Sequence, residues 1–240
     1  MKGKLKRAVV LLSGGLDSAT ALYLAKKKGY RITCLIFDYG QRHKKEINAA
    51  KRIALEAKVA YCVAKIKFPW GGSSLLGKKK IPLYKKPSEK SIPSTYVPAR
   101  NIIFLSFALS FAEAIKAKAI FIGAHSRDYS GYPDCRHKFL NAFKKAADLG
   151  TFAGRNKGGI KIISPLINKD KASIIRLGVK LKVPYKYTWS CYQGGRYPCG
   201  KCDSCYYRNK GFKDAGIPDP FLRDTQSAKA TAVPIKRHER

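Results

Sequence analysis

The chain has 240 residues, enough for one ordinary domain with a real hydrophobic core and a small appendage. Its 45% hydrophobic and 27% charged residues are near globular averages, which excludes a wholly disordered, collagen-like or coiled-coil protein. Lysine and arginine number 49 against 15 acidic residues, giving a net charge of +34. A field this positive attracts nucleic acid, anionic lipid and polyphosphate alike, so it indicates anionic partners without choosing among them.

The apolar segments argue against a membrane protein. The apolar run at residues 8–12 has only five residues, too few for the core of a signal peptide. The longest apolar stretch, residues 102–112, is well short of the roughly 20 residues of a spanning helix. Seven cysteines, four of them clustered between Cys191 and Cys205, suit a reducing compartment and a metal better than disulfides. We therefore expect a cytoplasmic protein with no membrane partner.

Apolar strand-like runs alternate with helical segments along the chain. Strands are predicted at residues 8–12, 32–37, 61–66, 119–122 and 160–163. Helices are predicted at residues 18–28, 46–57, 101–116, 137–149 and 170–181. The third of these helices is apolar almost all round, so we expect it to be buried. The order predicts an α/β fold, a Rossmann-like five-stranded mostly parallel sheet with a small C-terminal zinc-binding subdomain.

The composition divides the chain into three parts. Residues 1–188 are predicted to form the catalytic domain, residues 189–222 a four-cysteine segment with its following helix, and residues 223–240 a basic tail. Within the first part, residues 68–98 contain five prolines and a lysine run. We expect a long loop there, near the ends of the strands, and loops of that length are usually functional or disordered.

A glycine-rich turn stands where the first strand gives way to a helix, in the string Ser13-Gly14-Gly15-Leu16-Asp17-Ser18. Its small residues let several backbone N–H groups converge, and the positive end of the helix dipole adds to them, which favours phosphate binding. The turn lacks both the Gly-Lys-Ser/Thr ending of a Walker A loop and the spacing of a dinucleotide-binding turn. The alternative is a plain turn in which Ser18 or Asp17 caps the helix.

Four cysteines form the pattern C-x7-C-x2-C-x2-C at Cys191, Cys199, Cys202 and Cys205. Four thiolates this close are enough for a tetrahedral zinc site, and a site closed in this way is structural. The rival is an iron–sulfur cluster, because C-x2-C-x2-C also begins the bacterial ferredoxin run. The x3-Cys-Pro continuation is missing after Cys205, so the pattern favours zinc.

A polar segment follows the fourth predicted strand. It includes Asp128 and the string Gly131-Tyr132-Pro133-Asp134-Cys135-Arg136. Ligands of open α/β sheets bind outside the carboxyl ends of the strands. Asp134 offers an acceptor for N–H groups and Arg136 a pair of donors for a carboxylate. A proline-containing turn with a surface ion pair is an equally good interpretation of the residues alone.

The glycine-rich turn resembles the SGGxDS pyrophosphate loop of the ATP pyrophosphatase (PP-loop) superfamily. Four further segments resemble successive motifs of the 7-cyano-7-deazaguanine synthase family within it: residues 37–43, 93–101, 130–136 and 188–192. The similarity spans about residues 8–212. It implies a fold like that of adenine nucleotide alpha hydrolases, and a ligase that turns 7-carboxy-7-deazaguanine, ammonia and ATP into the nitrile precursor of the tRNA bases queuosine and archaeosine.

The resemblance also implies roles for individual residues. The expected ATP-binding residues are Leu12, Ser13, Gly14, Gly15, Leu16, Asp17, Ser18 and Phe37. The expected substrate-binding residues are Arg100, Asn101, Asp128, Asp134 and Arg136. The expected catalytic residues are Asp17, Arg100 and Lys171, with Mg²⁺ assisting ATP. His43 and His125 are candidate proton carriers and Cys135 a candidate nucleophile, each against the alternative of an ordinary structural contact. A homodimer is compatible with all of these roles.

Two other functions compete with the ligase. A PP-loop enzyme that modifies tRNA directly, for instance by thiolation, would suit the net charge of +34. Such enzymes need a sulfur relay or cluster and an RNA-docking domain. A basic nucleic-acid-binding module would leave the phosphate turn unexplained. Because the lysines are scattered from Lys2 to Lys236, we expect nucleic acid to bind at most non-specifically and with strong salt dependence.

Overall fold

The computed structural model describes residues 5–77, 79–84, 92–125, 132–155 and 158–222. The strands are β1 (Arg7–Leu11), β2 (Arg31–Asp38), β3 (Ala60–Lys65), β4 (Ala119–Phe121) and β5 (Lys161–Ile163). The helices are α1 (Leu16–Lys27), α2 (Lys45–Glu56), α3 (Arg100–Ala114), α4 (His137–Gly150), α5 (Phe152–Arg155), α6 (Lys171–Lys180) and α7 (Asp203–Ala215). Short 3-10 turns cover Pro133–Cys135 and Tyr185–Tyr187.

The strands form one sheet in the order β3-β2-β1-β4-β5, and every pair in it is parallel. The predicted α/β fold with a five-stranded sheet is confirmed. The chain runs from β1 outward to β2 and β3, then returns to β4 and β5 on the other side. The strand order therefore reverses between β1 and β4, and ligands of such sheets bind in the crevice outside the strands' carboxyl ends at this point.

Both faces of the central strand β1 are covered, because side chains alternate between them. Val9 and Leu11 pack in a cluster with α3 and α4 residues, including Leu105 and Leu140. Val10, on the opposite face, packs in a second cluster with residues of α1, α2 and α7. Burial on both faces explains why β1 is a continuous apolar run rather than an alternating one.

Helix α3 departs from the sequence prediction. Its apolar sequence predicts a helix that is buried all round, and this prediction is wrong for one face. Leu105 and Ala108 are fully buried, whereas Ile102 is 43% exposed and Phe107 is 46% exposed. One face of α3 packs on the sheet, and no described element covers the other.

The four-cysteine segment packs directly against the sheet domain. The backbone N–H of Trp189 donates to the carbonyl of Gly14 at 2.9 Å, so the segment touches the glycine-rich turn. On α7, the buried Arg208 side chain donates to the Thr188 hydroxyl at 2.9 Å and binds Asp219 through two nitrogens, at 2.5 and 2.8 Å. The predicted basic tail at 223–240 lies outside the described residues. Among the helices that the structure describes, none is long and apolar enough to cross a membrane.

Candidate functional site

A cavity of about 690 Å³ opens at the carboxyl edge of the sheet, beside β1. Pockets for small ligands and cofactors fall in the range of about 300–1,000 Å³. Most of the predicted ATP-binding and catalytic residues line this cavity, together with the predicted substrate residue Asn101: Leu12, Ser13, Gly15, Leu16, Asp17, Ser18, Phe37, Arg100 and Lys171. The fold thus brings to one place residues that are more than 150 positions apart.

The glycine-rich turn is closed by its two serines. The Ser13 and Ser18 hydroxyls lie 3.0 Å apart, and the Ser18 hydroxyl also accepts the backbone N–H of Ser13 at 3.2 Å. The first turn of α1, which begins at Leu16, has N–H groups without partners inside the helix. Gly14 does not line the cavity, but its φ of +84° and its close approach to α2 require glycine. A Cβ there would lie 2.3 Å from the carbonyl oxygen of Glu46.

Asp17 is the centre of a polar cluster at the start of α1. The Lys171 ammonium donates to the two Asp17 carboxylate oxygens at 3.0 and 2.9 Å. His125, which follows β4, places its Nε2 3.5 Å from the same carboxylate. Burial raises the pKa of Asp17, but Lys171 and His125 outweigh it and hold the pKa well below its usual value. Asp17 is therefore a carboxylate at neutral pH.

His125 has one ring nitrogen paired and one unpaired. Its Nε2 lies 3.0 Å from the Lys171 ammonium and 3.5 Å from the Asp17 carboxylate. Its Nδ1 is buried and has no partner among the described residues. Buried polar atoms are normally satisfied, so this nitrogen indicates a bound water or ligand at the cavity wall.

Arg100 and Asn101 begin α3 at the opposite side of the cavity. One Arg100 nitrogen donates to the Tyr39 hydroxyl at 3.4 Å. The backbone N–H of Asn101 donates to the buried Asp134 carboxylate at 3.0 Å, and the Asn101 amide donates to the Cys135 sulfur at 3.3 Å. These contacts fix the first turn of α3 and direct Arg100 toward the cavity.

Two of the predicted substrate residues are placed away from the cavity, and a third lies outside the described residues. Asp134 is buried and occupied by its bond to Asn101, and it is not among the cavity-lining residues. Arg136 is exposed and also does not line the cavity. Asp128 lies outside the described residues. The structure thus brings Arg100 and Asn101 to the cavity but does not bring Asp134 and Arg136 there.

The remaining candidates differ in their environments. Burial and the Asp134 carboxylate raise the pKa of the Cys135 thiol to about 12, which opposes a role as a thiolate nucleophile. His125 lines the large cavity, whereas His43 does not. His43 packs instead beside Trp189, with ring centroids 6.2 Å apart, and burial lowers its pKa.

The sequence prediction gave no role to several residues that line the cavity. They are Glu46 in the first turn of α2, Tyr39 after β2, Tyr132, Tyr192 and Asp203 in the first turn of α7. Burial raises the pKa of Glu46 to about 7, although Arg100 lowers it. Glu46 is an acidic residue in the first turn of the helix that follows β2. Residues at that position lie near the carboxyl edge of the sheet, and this pattern could have identified Glu46 from the sequence.

The four cysteines form a compact group that could hold one metal ion. Their sulfur atoms all lie within 4.8 Å of one another, and three of the four residues are buried. The Cys191 sulfur accepts the backbone N–H groups of Cys199 at 3.2 Å and Gln193 at 3.4 Å. Hydrogen bonds from Cys202 and Cys205 hold the pKa of Cys191 well below its usual value, and the same hydrogen bond to Cys191 raises the pKa of Cys202 to about 11. A metal cation among these sulfurs would stabilise the thiolate form of all four cysteines.

The fold and this site define a class: parallel α/β proteins with a glycine-rich turn at the cavity and an appended group of four cysteines that could hold a metal ion. Residues 7–216 match the family model described as "Queuosine biosynthesis protein QueC", and the chain belongs to that family. It is 51% identical to a 7-cyano-7-deazaguanine synthase of Clostridium kluyveri, over 90% of this chain and 97% of the relative.

A second relative, the 7-cyano-7-deazaguanine synthase of Acetivibrio thermocellus, is 52% identical over 90% of this chain and 96% of its own length. Among solved structures, the NMN synthetase of Francisella tularensis is similar with a TM-score of 0.47 and 15% identity. That match covers 98% of this chain and 90% of the other.

Proposed function

We propose that this chain converts 7-carboxy-7-deazaguanine and ammonia to 7-cyano-7-deazaguanine, with ATP activating the carboxylate as an adenylate. The observation that carries the proposal is that the glycine-rich turn and Arg100 face the same cavity. The turn can therefore hold ATP while the Arg100 guanidinium holds the substrate carboxylate, so that the carboxylate and the α-phosphate can react with each other. The curated relatives, at about half identity over nearly the whole chain, bear the name of this activity.

Residues 13–18 would hold the phosphates of ATP through the backbone N–H groups of the turn and the first turn of α1. Lys171, beside Asp17, supplies positive charge where pyrophosphate leaves, and stabilising that developing charge is the main catalytic duty. Mg²⁺ bound with ATP would supply further charge neutralisation. Phe37, at the end of β2, would lie beside the adenine.

The first step joins the substrate to AMP. Arg100 pairs with the 7-carboxylate, and Asn101 lies next to it at the start of α3. A carboxylate oxygen attacks the α-phosphorus of ATP, and the bond to pyrophosphate breaks with its electron pair going to pyrophosphate. The product is an acyl adenylate held in the cavity.

Two further steps complete the reaction. The lone pair of ammonia forms a bond to the acyl carbon, the bond to AMP breaks, and one proton leaves the nitrogen to give an amide. A second ATP then adenylates the amide oxygen. The nitrogen loses its two protons as AMP departs with that oxygen, which leaves the nitrile.

Our proposal also covers the metal, the cellular location and the partners of the protein. We assign zinc to the four cysteines because four thiolates form a closed tetrahedral site, with a structural role. We place the enzyme in the cytoplasm because its seven cysteines are free thiols. A homodimer has an apolar face available on α3, where Ile102 and Phe107 are exposed. Nucleic acid is expected to bind at most non-specifically.

Isotope transfer tests the adenylate directly. With ¹⁸O in the substrate carboxylate, the AMP released should carry one labelled oxygen, because the carbon–oxygen bond breaks when nitrogen attacks. AMP without label, formed together with the nitrile, would contradict the adenylate. A reaction without ammonium, run in parallel, should release little AMP if the adenylate stays bound.

A further inference from the structure

The Glu46 carboxylate lines the cavity and takes no part in the steps above. It lies in the first turn of α2, close to the carboxyl end of β2. No hydrogen bond joins this carboxylate to any residue in the part of the chain that the structure describes. A partly buried carboxylate without a partner loses hydration without compensation, so it favours a ligand that brings hydrogen-bond donors.

The surroundings of Glu46 define what that ligand can be. The positive charge of Arg100, at the start of α3, lowers the pKa of Glu46, whereas Cys191, in the four-cysteine segment, raises it. The Tyr39 and Tyr192 side chains line the same cavity. The Glu46 carboxylate therefore shares this cavity with a guanidinium and aromatic rings, a set of groups suited to a flat molecule with donors on one edge and an anionic group elsewhere.

Two other carboxylates, one at the start of α1 and one against the start of α3, are less available. Asp17 is held by Lys171 and His125. Asp134 caps the start of α3 and does not line the cavity. Asp203 lines the cavity from α7, and the pKa of its carboxyl is raised by burial alone. Glu46 is favoured over Asp203 because Glu46 and Tyr39 line one small recess beside the cavity, and Tyr39 accepts a hydrogen bond from Arg100 at 3.4 Å.

We propose that Glu46 accepts hydrogen bonds from the N1–H and 2-amino groups of the deazaguanine ring while Arg100 pairs with its 7-carboxylate. This assignment rests on the proposed function and adds the residue that sets specificity for the base. Two parallel N–H to carboxylate bonds are strong and directional. A ligand without the 2-amino group would leave one carboxylate oxygen unpaired. Its binding affinity would be much lower, because an unpaired polar atom inside a binding site is not compensated by water.

The test compares two ligands by titration calorimetry. They are 7-carboxy-7-deazaguanine and its analogue without the 2-amino group, 7-carboxy-7-deazahypoxanthine. The unaltered protein should bind the first at least tenfold more tightly than the second. Glu46→Gln should lose most of this preference, because it weakens the first ligand, which makes two bonds to the carboxylate, more than the second, which makes one. Glu46→Met, similar in length but without an acceptor, should lose it as well.

Two control variants make the result specific. Glu56→Gln, at the other end of α2, removes an exposed carboxylate paired with Arg52 at 2.8 Å and should keep the full preference. Asp203→Asn should keep it too. A preference that survives in both Glu46 variants, or that disappears in Asp203→Asn instead, would overturn the assignment to Glu46. Failure of the unaltered protein to bind either ligand would instead contradict the proposed function.

Discussion

The Lys171 ammonium lies 2.9 and 3.0 Å from the two carboxylate oxygens of Asp17. This pair joins the first residue of α6 to the first turn of α1, although the two residues are 154 positions apart. It places a positive charge and a carboxylate beside the glycine-rich turn, where we propose that ATP binds. The pair therefore connects the fold to the chemistry of the cavity.

Asp17→Asn should lower turnover at least tenfold, corresponding to about 1.4 kcal/mol of transition-state stabilisation. The change removes the charge that orients Lys171, and it leaves the four-cysteine group intact. The folded pKa of Asp17 is lowered, so its carboxylate stays ionised down to acidic pH. The ratio of turnover in the two proteins should therefore be constant between about pH 6 and pH 8. Asp148→Asn, which removes the surface partner of Lys144, is the matched control and should turn over normally.

The buried Arg208–Asp219 ion pair predicts a large effect on stability. Both side chains are almost fully buried, at 6% and 3% exposure. Asp219→Asn leaves the Arg208 charge uncompensated and should lower the free energy of unfolding by about 3–5 kcal/mol. Asp214→Asn breaks an exposed pair with Lys210 and should cost no more than about 1 kcal/mol. Urea denaturation of both variants measures the two losses of stability. Equal midpoints would show that the buried pair contributes no more to stability than the exposed pair.

Cys202→Ser should abolish metal binding. Protein purified without added metal is expected to contain about one zinc per chain, and the variant should lose it together with much of its stability. Structural zinc sites contribute on the order of 10 kcal/mol to folding. Cys62→Ser, at an exposed position of β3, should keep the metal. A brown protein that contains iron and sulfide would contradict the zinc assignment.

Cys135 is expected to react slowly despite lining the cavity. Its pKa of about 12 leaves almost no thiolate at pH 7.5, and the thiolate is the reactive form. Mass spectrometry after brief iodoacetamide treatment should find the exposed Cys62 alkylated well before Cys135. Cys135→Ala should keep turnover within about tenfold of normal. A loss of several orders of magnitude would restore the covalent role.

Local patterns were enough to predict the parallel sheet and the position of the glycine-rich turn at its edge. Residues 8–12 form a continuous apolar run because β1 is covered on both faces, and the turn follows directly in the sequence. The burial of α3 was not predictable, since Ile102 and Phe107 read as core from their chemistry alone. The role of Asp134 as a cap for Asn101, and the free state of Glu46, depend on contacts between distant segments.

The most direct test of the central claim is incubation of the purified chain with MgATP, ammonium and 7-carboxy-7-deazaguanine, followed by mass detection of products. The account predicts 7-cyano-7-deazaguanine with two AMP per nitrile, and none of it when ATP or ammonium is left out. Modification of tRNA with no need for free 7-carboxy-7-deazaguanine, and no nitrile from the free base, would contradict it.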